Sequence, residues 1–188
     1  SALLASCSES ELWQNPQTEA RDGYIMLNFK TEIPAMQEVV TRAVDPDGGG
    51  VQDMTLFCFD SYGLFISTVK AGVTVQKPGP GEMEGTFKAE VPENTRTIHF
   101  LANQNMDEFK EDSFRNKSES EVMAVLEGSS GRMIYWGRFA CDAGNDSNIA
   151  EQMATSGNSV KLIRNHARIS VDNPDNNGHI VITGFAVC

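Results

Sequence analysis

Three histidines, His99, His166 and His179, are the side chains best suited to proton transfer or metal binding, and none stands at ligand spacing from another. His99 falls on the polar side of an alternating segment, Thr97 to Ala102, whose apolar side is Ile98, Phe100 and Ala102, so it is expected to face solvent. No CxxC or HExxH is present, and Gly48-Gly49-Gly50 follows no strand pattern and lacks the Lys of a phosphate-binding loop. Asp142-Ala143-Gly144-Asn145-Asp146-Ser147-Asn148 could offer hard oxygens to calcium, but it lacks the alternating acidic spacing and terminal Glu of an EF-hand loop. A turn built from residues that tolerate the left-handed conformation is the simpler expectation. The segment Asp172 to Gly178 is a weaker version of the same pattern. No Ser/His/Asp or Cys/His set is identifiable by spacing, although such a set is assembled in space. No catalytic residue, metal or cofactor is therefore expected.

The four cysteines divide by context. Cys58 sits among apolar strand residues, as a small buried hydrophobe would. Cys141 lies at the edge of a strand and a loop. Cys7 closes the run Ser1-Ala2-Leu3-Leu4-Ala5-Ser6, and Ser8, Glu9, Ser10 and Glu11 follow at once. Leu4-Ala5-Ser6-Cys7 resembles the bacterial lipobox: a branched apolar residue, two small residues, then the Cys that accepts a diacylglycerol after cleavage on its N-terminal side. The plainer alternative is a frayed terminus with an incidental Cys. On the lipobox reading residues 1–6 are the tail of a signal peptide, and Cys7 carries the lipid. Each acyl CH₂ buried in the membrane contributes about 0.8 kcal/mol, so more than one chain anchors stably. With Cys7 acylated, three cysteines remain and at least one cannot pair within the chain.

The elements that would position these residues read mostly as strands. Residues 7–22 are polar and acidic, a flexible tether. Gly23 to Lys30 reads as a strand apolar on both faces, ended by Pro34. In Val51 to Asp60, Met54, Leu56 and Cys58 point one way while Phe57 and Phe59 point the other. Asp60-Ser61-Tyr62-Gly63 turns the chain into a partner strand, Leu64 to Val69. Phe87, Ala89 and Val91 alternate with polar neighbours. Ser118 with Glu121 three residues on forms a capping box ahead of Val122, Met123, Val125 and Leu126, which predicts a short helix over roughly 119–127, with Gly128 at its end. Tyr135 and Trp136 fall in a further strand, and a polar loop is expected from Asp142 to Ser159. Val160 to Val171 reads as one long strand in which Val160 and Leu162 face opposite to Ile163, Ala167, Ile169 and Val171, the mark of a bulge. His179 to Val187 is the last strand, and its apolar pattern runs up to Cys188, which points to a chain that continues. About seven to nine strands, one short helix and no βαβ alternation make an all-β sandwich.

The composition agrees. The chain has 188 residues, 40% apolar and 22% charged, enough for one sizeable core. Its formal charge of −11 excludes the basic footprint that nucleic acid or anionic lipid headgroups require. No apolar run is long enough to span a bilayer as a helix.

Taken in order, the lipobox Cys7, the acidic tether, Thr41-Arg42-Ala43, Val51 to Gly63, Phe100-Leu101-Ala102-Asn103 and Val160 to Ile169 resemble the N-terminal region of the fimbrillin superfamily, the type V pilus subunits of Bacteroides-group bacteria. The resemblance spans nearly the whole chain and rests on the order of its motifs. It implies a transthyretin-like Greek-key β-sandwich of about seven strands over residues 23–188, the first of two domains. It also implies export as a lipoprotein to the outer membrane and cell surface, with partners that include other fimbrial subunits and, at a tip, host or bacterial surface receptors. An arginine-specific protease would cut between Arg42 and Ala43, removing the first strand with residues 23–42, and a strand from another subunit would fill the groove. The plainer alternative for Arg42 is a solvated loop residue with no processing role, and stalk, tip and anchor roles share this pattern.

Two other readings stand beside this one. A glycan-binding surface lipoprotein would use exposed aromatics, for which Tyr135-Trp136 is the adjacent pair in this sequence. A secreted enzyme would assemble its site in space around His166 and the Asp-rich loops.

Overall fold

A computed structural model of the chain describes residues 20–32, 51, 53–78, 83–126 and 134–164. The strands are β1 (Tyr24–Glu32), β2 (Met54–Phe59), β3 (Phe65–Lys70), β4 (Gly72–Pro78), β5 (Met83–Pro92), β6 (Thr97–Ala102), β7 (Tyr135–Ala140), β8 (Ser159–Lys161) and β9 (Ile163–Arg164). They form one sheet in the order β4-β5-β1-β8 and another in the order β3-β2-β6-β7-β9. Two short helices, α1 (Glu119–Leu126) and α2 (Ile149–Thr155), and two 3-10 turns complete the described chain. The fold is an all-β sandwich, with one helix more than the sequence pattern predicts.

The core lies between the sheets. One contributes Ile25, Leu27, Phe29, Phe87, Ala89 and Val91; the other contributes Met54, Leu56, Cys58, Ile98, Phe100 and Ala102. Their period of two places each set on one face of its sheet. The opposite faces of β2 and β6 are buried too. Phe57, Phe59 and Leu101 pack under Phe114, Val122 and Leu126. The charged segment after β6 is thus a cover for the outer face of the five-stranded sheet. Helix α1 begins with the capping box: the Glu121 amide donates to Ser118 Oγ at 3.4 Å, and the Ser118 amide donates to Glu121 Oε2 at 2.8 Å. Gly128 lies outside the described residues.

Three expectations are corrected. Strand β1 is apolar-buried on one face only: Ile25, Leu27, Phe29 and Thr31 are buried, whereas Met26 and Asn28 are half-buried and Tyr24 is exposed. No described segment covers the outer face of its sheet as α1 covers the other. The polar stretch 142–159 contains α2, capped by Asn148 and Glu151 in a reciprocal box and seated in the core through Ile149 and Met153. The change of apolar face between Leu162 and Ile163 is a crossing between sheets, not a bulge. Strand β8 pairs parallel with β1, Leu162 is buried, and β9 pairs antiparallel with β7. The stretch 165–171 and the final strand 179–187 lie outside the described residues, as do His166 and His179.

The crossing needs Gly137 of β7. A Cβ there would sit 2.8 Å from the Lys161 carbonyl oxygen and 2.9 Å from both Leu162 Cδ2 and Val160 Cγ1. Backbone cannot retreat as a side-chain tip can, so Gly137→Ala is expected to cost about 1–3 kcal/mol, read as a lower urea midpoint at an unchanged slope. An unchanged midpoint would show the crossing to be loosely held.

Candidate functional site

Strand β1 occupies the interior of its sheet. It pairs antiparallel with β5 from Tyr24↔Pro92 to Thr31↔Gly85 and parallel with β8 from Lys30↔Ser159 to Glu32↔Lys161. Its far end is bound further by the Leu162 amide donating to the Glu32 carbonyl at 2.8 Å and the Ser159 hydroxyl donating to Glu32 Oε1 at 2.6 Å. At the near end the Arg21 amide and Nε both donate to the Glu90 carboxylate, Nε at 2.7 Å. The Arg21 guanidinium also lies 4.3 Å from the Tyr24 ring centroid. These hydrogen bonds from Arg21 hold the Glu90 carboxyl below the usual range.

The inward side chains fill a continuous slot. Phe29 is wholly buried, stacked on Phe87 at 5.5 Å and meeting Phe100 edge-on at 5.0 Å. Taking β1 away would therefore open an apolar slot and leave both β5 and β8 with an unpaired backbone edge. The named positions Cys7, Arg42 and Ala43 lie outside the described residues; Arg42 follows the end of β1 by ten positions (42 − 32) in sequence.

The other candidates within the described residues are tied into structural contacts. His99 is buried, against expectation, because the cover over the five-stranded sheet encloses it. Trp136 Nε1 donates to His99 Nδ1 at 2.9 Å, which leaves the proton of the neutral ring on Nε2, 2.7 Å from Glu119 Oε1. Arg138 Nε donates to the same carboxylate at 2.6 Å and holds its pKa down. Both ring nitrogens are engaged, so His99 has no free atom to act as a base. Burial lowers its pKa, opposed by Glu119 and aided by the charge of Arg138. The unfolded chain therefore takes up the proton first as pH falls. Stability is expected to be full above about pH 6.5 and to decline below it. His99→Gln should flatten that decline between about pH 7.5 and 5.5 in urea titrations; an equal slope in both proteins would contradict the assignment.

Tyr135 is buried, and Trp136 is half-buried against the cover of the five-stranded sheet with its indole N–H committed to His99. In the loop after β7 the Gln152 amide donates to the carbonyls of Asn145 and Ser147, and Arg96 Nη1 donates to Ser147 at 2.6 Å. The Asn145 and Asn148 side-chain oxygens accept in turn from the Ser147 and Glu151 amides, the hydrogen bonds of a turn and a helix cap. Among the described residues no group of three or more His, Cys, Asp or Glu is placed to hold a metal. Cys58 and Cys141 are free thiols, the former buried and pushed up to about 12 by desolvation. Sequence reasoning missed the Arg21–Glu90 clamp, whose partners stand 69 residues apart and become neighbours only through the β1–β5 register.

The chain matches no model of a known protein family, no curated protein and no solved structure.

Proposed function

We propose that this chain is a structural subunit, or a tip or anchor component, of a bacterial surface fimbria in the manner of the fimbrillin superfamily. It is exported as a lipoprotein anchored at Cys7 and assembles by strand exchange after cleavage between Arg42 and Ala43. The observation that carries this reading is the place of β1. It is an interior strand, core-forming on one face, that comes early in the chain and precedes Arg42. A cut after Arg42 would free it without severing any other strand described. A donor strand from another subunit would then restore both backbone edges and the apolar face, which is β-augmentation from within a sheet. No substrate chemistry is called for, and the buried polar groups described above are structural.

The test is expression of the full-length precursor in its host, followed by extraction of surface material. SDS-resistant polymers containing the chain support the reading; a chain that stays monomeric under conditions where other fimbrial subunits polymerise overturns it.

A further inference from the structure

The groove under β1 is not uniform along its length. Phe29 lies in an aromatic cell made by Phe87 and Phe100. Two residues on, Thr31 faces Gly85 on one side and Val160 on the other. The Phe87 ring leans over Gly85 so closely that a Cβ there would meet it at 2.5 and 2.9 Å, with Thr31 Oγ1 at 3.3 Å. The cell around Thr31 is therefore narrowed by the Phe87 ring on one side and bordered by Val160 on the other. Thr31 is fully buried, and its hydroxyl has no hydrogen-bond partner among the described residues. A buried hydroxyl left unsatisfied forfeits the hydrogen bond it makes to water in the free strand.

From this we infer that the groove selects its occupant by a two-position key, an aromatic side chain followed two residues later by a small apolar one, and that β1 meets the first requirement but not the second. The favoured occupant is a strand of another subunit with the inward pattern aliphatic, aliphatic, aromatic, valine. The inference rests on the strand-exchange reading and gives it a direction: the resident strand is built to be replaced. Register is set by the same key. A donor displaced by one inward position would drive its aromatic ring against Phe87 above Gly85 and place only an aliphatic side chain in the Phe29 cell.

The test uses the full chain, nicked after Arg42 by a trypsin-like protease, and synthetic peptides of residues 23–42 competing with a fluorescent copy of the wild-type peptide. The Thr31→Val peptide should compete about tenfold better than wild type, and the Phe29→Ala peptide about a hundredfold worse or more. In the uncut chain T31V should slow hydrogen exchange of the β1 amides by about tenfold. Equal competition by all three peptides, or unchanged exchange in uncut T31V, overturns the key. If no peptide enters, wild type included, strand exchange itself fails and the key with it.

Discussion

Phe29→Ala is expected to remove about 3–5 kcal/mol of stability, out of a total that for such domains is about 5–15 kcal/mol. The ring is fully buried and contacts aromatic rings from both sheets, Phe87 of β5 beside it and Phe100 of β6 across the core. Truncation opens a cavity at the centre of the sandwich, where both sheets are held by strand pairing and cannot close on it. The outward face of the same strand provides the control. Asn28 is only half-buried, so Asn28→Ala should fall within about 0.5 kcal/mol of wild type, as surface changes usually do. Urea unfolding of both variants separates the two outcomes. Losses of similar size would mean that β1 is held by its backbone pairing and not by its apolar face.

Arg42→Ala is expected to abolish polymer formation while leaving the folded precursor intact. A tethered strand competes with a donor in trans at an effective concentration of about millimolar. A donor present at about micromolar concentration is thus disadvantaged by about a thousandfold, whatever its fit. Cleavage removes that advantage, after which the quality of the side chains in the groove decides the occupant. The variant should therefore appear as uncut monomer on denaturing gels of surface extracts, and its urea midpoint should equal that of the wild-type precursor. Polymers formed from uncut Arg42→Ala would remove proteolysis from the mechanism.

The strands that the sequence made legible are those whose two faces differ in a simple way. Met54, Leu56 and Cys58 against Phe57 and Phe59 read correctly because each set enters its own apolar cluster. The same alternation misplaced His99, since the polar side of a strand faces water only if nothing covers it. The cover here comes from residues that follow the strand and show no period of two. The step from Leu162 to Ile163 was misread for a related reason: a crossing between sheets and a bulge both move the apolar residues to the other side of the strand pattern, and only pairing with β1 and β7 tells them apart. Helix α2 carries an Asn148–Glu151 capping box, but its seven residues are too few to display a helical period against a polar background. The seat of β1 was legible in part. Its apolar run marked it as core-forming, while its interior position, its parallel partner β8 and the Arg21–Glu90 clamp depend on contacts between distant segments.

The most direct measurement is the N-terminal sequence of the chain recovered from surface polymers, together with a mass-spectrometric search for residues 24–32 in the same material. Assembly by strand exchange predicts a chain that begins at Ala43 with no β1 peptide retained. A polymerised chain in which residues 24–32 remain covalently continuous with Val51 and all that follows would contradict it.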